Sequence, residues 1–249
     1  MPNKRLRMFA GPNGSGKSTV FDELKSDYNF DIGIYLNADV IENRLKKNKL
    51  ICLSDYNIST DSGNFFDNFL ASHTLYNKAK NDGFTIDLKY NGNGCIKNPN
   101  KKTHSYEAAI LTDFFRQELI SNGIKLSFET VMSHPSKIET LLLSKNNNYK
   151  NYLYFISTED VEINKSRVKE RVLNGGHQVP EHKIEERYYR SLELLQPAIK
   201  ETYRTFVFDN SGNKARLILD IYKGNIVTYR SKSIPKWVDK YCLGIGNSI

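Results

Sequence analysis

Gly11-Pro12-Asn13-Gly14-Ser15-Gly16-Lys17-Ser18-Thr19 follows the apolar run Leu6 to Ala10 and matches the pattern G-x-x-x-x-G-K-[ST] at every position. Glycines let the main chain curl so that successive N–H groups converge on one phosphate. Lys17 brings a positive charge to the β- and γ-phosphates, and the Ser18 hydroxyl can ligate Mg²⁺. From Gly16 onward the chain opens a helix whose positive end faces the same phosphates. The flanks agree: Lys4 to Ala10 reads as a strand and Ser18 to Lys25 as a helix. The nine residues Gly11 to Thr19 are therefore expected to bind ATP.

Composition narrows the class. The 249 residues with 39% hydrophobic content suit one α/β domain with insertions, long enough for a core that needs no metal or disulfide staple. The formal charge is +8, but no long basic tract is interleaved with aromatics, so nucleic acid is not the expected partner. A protein handling two phosphorylated ligands also needs positive charge. Cys52, Cys95 and Cys242 are odd in number and far apart, with no C-x-x-C, and are expected to be reduced thiols. The N-terminal residues carry no signal-peptide core, no apolar run is long enough to span a bilayer, and a cytoplasmic location is expected. The histidines show no zinc-ligand spacing.

Outward from the glycine loop, strand-like and helix-like runs alternate. Strands are expected at 32–37, 125–128, 152–157 and 205–208, and helices at 38–47, from Pro135, at 161–173 and at 181–203. This rhythm predicts a P-loop three-layer α/β/α fold with a mostly parallel central sheet. All 249 residues are expected to form one such domain. An insertion is expected at about 51–104, with a helix-like stretch, a strand-like one and a polar loop over 91–102. A helical lid falls at about 165–192, and a hairpin with a short helix at about 213–249.

Phosphoryl transfer to an alcohol needs a base, a metal and positive charge on the migrating group. Asp39, just after the second strand, can accept a hydroxyl proton; it can equally be a first-turn aspartate stabilised by its helix. Glu129, ending the third strand beside Thr130, can hold a metal through water or hydrogen-bond an acceptor, or be a plain sheet-edge carboxylate. The lid carries Arg167, Arg171, Arg187 and Arg190, the pair Gly175-Gly176, and His177. A glycine hinge between helices can bring guanidinium forks onto phosphates. The alternative is a surface hairpin whose arginines pair with glutamates, as Glu186 can with Arg190. Asn37 and His134 are weaker candidates, more in keeping with structural roles.

With these residues in view the chain resembles the zeta-toxin family of P-loop kinases. The shared blocks are Ala10 to Thr19, Asn37-Ala38-Asp39, Phe128 to His134, Arg167 to Pro180, Lys183 to Leu192 and Phe208 to Ser211. The resemblance implies a kinase that uses ATP and Mg²⁺ to phosphorylate a hydroxyl of a nucleotide sugar such as UDP-N-acetylglucosamine, with an antitoxin protein as a candidate partner. It implies Lys17 and Ser18 as phosphate and metal ligands, Asp39 as base and Glu129 on the acceptor side. Gly175-Gly176-His177 and the 51–104 insertion depart from the family pattern.

The leading expectation is thus an ATP- and Mg²⁺-dependent small-molecule kinase. Lys17, Asp39, Arg171 and Arg187 are the candidate catalytic residues, and Asn37, Glu129, Thr130, His134, His177 and Arg190 line the acceptor side. Two rivals stand beside it. A regulatory switch ATPase would need an L-S-G-G-Q-like signature and a strand ending in Asp-Glu, and neither is present. A polynucleotide end-kinase would need a stronger basic groove than Lys223, Arg230, Lys232 and Lys236 supply.

Overall fold

Leu6, Met8, Phe9 and Ala10 are fully buried, as expected of a strand covered on both faces. They belong to β1 (Arg5–Ala10). Phe9 stacks on Tyr154 at 4.5 Å and meets the edge of Phe21 at 5.0 Å. Phe21 lies in α1 (Lys17–Tyr28), so this one ring ties the strand before the glycine loop to the helix after it. The computed structural model describes residues 4–28, 31–100, 102–175 and 179–243. It divides into two compact units, Met1–Ile32 with Ser127–Ile249, and Gly33–Leu126.

The second unit opens with β2 (Ile34–Leu36), where the Ile34 N–H donates to the Lys125 carbonyl at 2.9 Å. Then α2 (Ala38–Asn48) starts at Asn37, whose Oδ1 accepts from the N–H groups of Asp39 and Val40. Next come β3 (Leu50–Cys52), short 3₁₀ turns at Leu53–Tyr56 and Thr60–Phe65, α3 (Phe66–Ser72) and α4 (Thr74–Asn81). They are followed by β4 (Lys89–Tyr90), β5 (Cys95–Lys97) and α5 (Ser105–Ser121). The three strands form an antiparallel sheet in the order β3-β5-β4.

Sequence reading placed residues 91–102 in a polar loop and named no helix at 105–121. Residues 95–97 instead pair as β5, and α5 is buried nearly all round, from Ala108 to Ile120. The thiol expectation is also overturned. Cys52 faces Cys95 across the β3–β5 ladder with their Cα atoms 3.9 Å apart, and the two form a disulfide. Forty-three residues separate them along the chain, so only the ladder register brings the sulfurs together. Cys242 is the free cysteine, and burial pushes its thiol pKa up.

In the first unit the chain continues through β6 (Leu126–Thr130), α6 (Ser136–Asn146), β7 (Lys150–Ser157), α7 (Val161–Leu173) and α8 (Glu181–Glu193). It ends with α9 (Leu195–Lys200), β8 (Arg204–Asp209), β9 (Arg216–Tyr222), β10 (Ile226–Tyr229) and α10 (Lys236–Val238). The strand order is β10-β9-β8-β7-β1-β6. β1, β7 and β8 are parallel, while β9 and β10 add an antiparallel edge. The helix expected over 181–203 breaks at Leu194. Pro197 has no N–H to give the Glu193 carbonyl four residues back, which ends the first helix there. Among the described residues no helix is long and apolar enough to cross a membrane.

The parallel register carries three loops to one edge of this sheet: Gly11–Gly16 after β1, Thr158–Asp160 after β7 and Asn210–Gly212 after β8. Open α/β sheets bind ligands at this carboxyl edge.

Candidate phosphate-binding site

The glycine loop is held from both sides by asparagines. Asn164, fully buried in α7, donates through Nδ2 to the Asn13 carbonyl at 2.6 Å, and its Oδ1 accepts from the Thr158 hydroxyl. Asn210, just past β8, donates through Nδ2 to the Ser15 carbonyl at 2.8 Å. Two loop carbonyls are thereby turned outward, which leaves the loop's N–H side to its interior. Gly11 (φ +144°) and Gly16 (φ +88°) explain the glycine spacing: a Cβ on Gly11 would lie 1.9 Å from the Ile156 carbonyl oxygen, and one on Gly16 would lie 2.2 Å from Asn210 Nδ2. Gly14 is also tight, its Cβ position 2.6 Å from the Asn164 carbonyl oxygen.

Lys17 Nζ donates to the carbonyls of Gly11 and Pro12 at 2.9 and 2.8 Å, arching over the loop. Ser15 Oγ and Asn13 Oδ1 are buried without a hydrogen-bond partner. Buried polar atoms are ordinarily satisfied, and these two, closed off from solvent, are exceptions within the packing of the loop. Thr19 is exposed in the first turn of α1, among N–H groups that no helical carbonyl can satisfy.

Ser18 Oγ donates to Glu129 Oε2 at 2.8 Å, joining the start of α1 to the end of β6. The hydroxyl has one proton and two lone pairs. With that proton directed at the Glu129 carboxylate, the hydroxyl lone pairs are oxygen donors of the kind that suits a hard cation such as Mg²⁺. Next to it, Thr130 Oγ1 accepts from the Met132 N–H at 3.2 Å. His134 Nδ1 accepts from the Ser136 N–H at 3.2 Å and lies 3.1 Å from its hydroxyl, where α6 begins. Both side chains shape the turn after β6.

The two helices α7 and α8 are joined by lysines rather than arginines. Lys165 bridges Glu162 and Glu185 at 2.6 and 2.8 Å, and Lys169 reaches Glu181 at 2.8 Å. The two bonded carboxylates, Glu162 first, raise the Lys165 pKa. The Tyr188 hydroxyl donates to the Thr158 carbonyl at 2.7 Å, and burial pushes its phenol pKa up. Arg190 pairs with Glu186 at 2.9 Å, the i,i+4 contact expected from spacing. Arg167 donates to the carbonyls of Asn210 and Gly212 at 2.8 and 3.2 Å, locking the loop after β8. Arg171 is exposed near the end of α7. Arg187 is half-buried, with no hydrogen-bond or ion-pair partner among the described residues. His177 lies outside the described residues.

In the second unit, Asp39 is an exposed carboxylate in the first turn of α2, immediately past β2. Asn37 is occupied as the cap of that helix, and its Nδ2 donates to the Tyr35 hydroxyl at 3.2 Å.

Sequence reasoning missed Asn164 and Asn210. A signal existed for the first, since Asn164 stands between Val161 and Val168 on the buried stripe of α7. A polar side chain in such a stripe must have a partner, and here the partner is the glycine loop.

No family model matches the chain. An uncharacterised protein of Haemophilus influenzae is 35% identical over 69 residues, which are 28% of this chain and 49% of that protein. Among solved structures, the AvrRxo1-ORF1:AvrRxo1-ORF2 complex with sulfate ions matches with a TM-score of 0.54 at 14% identity, covering 96% of this chain and 63% of that one. The same complex with ATP gives 0.52 at 14% identity, over 92% and 61%. A structure from the PezAT chromosomal toxin–antitoxin system of Streptococcus pneumoniae gives 0.51 at 12% identity, over 98% and 80%. The chain thus spans about half the length of the curated relative it matches and somewhat under two thirds of the AvrRxo1 chain. Its fold is similar to the fold of these solved chains.

Proposed function

We propose that this protein is an ATP-dependent phosphotransferase that moves the γ-phosphoryl group to a hydroxyl of a small molecule. A nucleotide sugar such as UDP-N-acetylglucosamine is the favoured acceptor, on the sequence resemblance alone. One observation carries the reading: an asparagine-pinned glycine cradle beside a serine hydroxyl hydrogen-bonded to a strand-end carboxylate. A neighbour in fold was determined with ATP, which supports the choice of nucleotide. Another belongs to a toxin–antitoxin system, which supports an antitoxin protein as a partner. A cytoplasmic location fits such a substrate, with all 249 residues working as one kinase domain and 165–192 as its lid.

In this reading the N–H groups of residues 13–19 bind the triphosphate, and Lys17 leaves the loop carbonyls to meet the β- and γ-phosphates. Ser18, hydrogen-bonded to Glu129, would hold Mg²⁺, which when bound would offset the charge shared by the phosphates. Among the described residues of 165–192, Arg187 has no ion-pair or hydrogen-bond partner and is the cation that turns onto the migrating group, with Arg171 as the second candidate. Arg190, already paired, shifts only if Glu186 releases it, and His177 remains a candidate on the acceptor side. Asp39 takes the acceptor proton; its support is local, an exposed carboxylate at the carboxyl end of a strand. Asn37, Thr130 and His134 act by shaping the backbone that carries Asp39 and Glu129.

The test is a mass-spectrometric screen of γ-phosphoryl transfer from ATP to a panel of nucleotide sugars, with Lys17→Ala as the inactive control. The account expects a phosphorylated acceptor that is absent from the control. ATP hydrolysis at the same rate with and without every acceptor, and no acceptor modified, would favour the switch-ATPase reading instead.

A further inference from the structure

The edge of the first unit's sheet away from the glycine loop carries a second concentration of positive charge. Register fixes it: Arg5 pairs with Lys150, Tyr152 with Arg204 and Arg204 with Tyr222. The amino ends of β1, β7 and β8 therefore meet the carboxyl end of β9. A cavity of about 260 Å³ opens here, lined by Lys145, Lys150, Lys200, Lys223, Tyr149 and Tyr203 among others. The carboxylate in its lining is Glu201, which is already paired with Lys145 at 2.9 Å. Among the described residues no carboxylate pairs with Lys150, Lys200 or Lys223.

Lys145 and Lys200 lie in the last turns of α6 and α9, where helix dipoles favour cations in any case. That account does not extend to Lys150 and Lys223. They stand on a strand start and a turn, over the rings of Tyr203 at 4.8 Å and Tyr222 at 5.3 Å. The Tyr203 phenol is held below the usual tyrosine range, first by its hydrogen bond to Tyr222 and further by Lys150, Lys223 and Arg204. Like charges around a concavity repel one another and raise the local concentration of anions.

We propose that this cavity is a second anion site that takes a small phosphate-bearing ligand. Its size admits a phosphate or pyrophosphate group. Lysines meet phosphate oxygens as point charges with rotatable donors. The Tyr203 and Tyr222 rings are covered by ammonium groups, which leaves no open aromatic platform for stacking bases and argues against single-stranded nucleic acid. The site does not depend on the proposed kinase activity, and it is tested apart from it.

The experiment is calorimetric titration of Lys17→Ala protein with inorganic pyrophosphate and, separately, with AMP. In that background binding is expected to persist, and to weaken at least tenfold when Lys150→Gln and Lys223→Gln are added. Unchanged thermal melting serves as the folding control. Tighter binding of pyrophosphate than of AMP supports a free polyphosphate as the ligand, and the reverse order supports a phosphate monoester. Binding of neither, or binding indifferent to the two lysine substitutions, overturns the proposal.

Discussion

At the scale of single residues, the glycine loop is set by what lies outside it. Gly11 abuts a main-chain carbonyl of β7 and Gly16 abuts the Asn210 amide, so neither position has room for a methyl group. The first obstacle is backbone, which cannot swing aside. Gly11→Ala combines that clash with a backbone conformation L-residues avoid, and is expected to cost at least about 2 kcal/mol and to abolish ATP binding. Gly212 meets nothing within 4 Å, and Gly212→Ala is expected to stay within about 0.5 kcal/mol of wild type. Chemical denaturation of the two variants checks both values, and equal stability would show that the loop is not packed as described.

At the scale of elements, the β3–β5 ladder and the β8–β9–β10 edge each carry a testable link. The Cys52–Cys95 disulfide closes a loop of some 43 residues; by chain entropy such a cross-link is worth roughly 4 kcal/mol. Reduction, or Cys52→Ser with Cys95→Ser, should therefore lower the melting temperature of the second unit clearly, and an unchanged melt would contradict a disulfide that constrains it. Asp220 on β9 accepts from Arg204 at 2.9 and 2.8 Å and from Arg230 at 2.9 Å. Those bonds, Arg204 first, hold its pKa below the usual aspartate value. A depressed carboxylate stabilises the fold above its unfolded pKa, near 4, and loses that contribution as pH falls through the folded value. Asp220→Asn should cost about 2 kcal/mol at neutral pH and flatten the acid limb of the stability curve below about pH 4; an acid limb identical to wild type would refute the assignment.

The same elements show what could be read beforehand. The strands β1, β7 and β8 and the helix α7 were legible because their apolar runs are bounded by turn residues. The glycine loop was legible because its spacing serves one chemistry. α5 was not, because a helix buried nearly all round lacks the one-sided stripe that identifies helices. β5 was hidden by its polar surroundings, Asn91, Asn93, Asn98 and Asn100, of which Asn91 and Asn98 spend their side chains on local backbone bonds. Of the candidate site, the places of Lys17 and Ser18 at a helix start and of Glu129 near a strand end followed from the sequence. Asn164 and Asn210 did not, because their role lies in which carbonyl they meet across the fold.

At the scale of the whole molecule, most of the formal charge of +8 falls in the first unit. One edge of the sheet offers Lys17, and the other offers the lysine-lined cavity. Composition alone could not separate these from a nucleic-acid surface. The central claim of the proposed function is that Asp39 takes the proton of the acceptor alcohol. It is tested most directly by measuring γ-phosphoryl transfer and ATP affinity together in Asp39→Asn, an uncharged side chain of the same size on an exposed first-turn position. The account predicts transfer reduced by at least about a hundredfold, the scale of general-base catalysis, with the Kd for ATP within a fewfold of wild type. Transfer at the wild-type rate in that variant would contradict it.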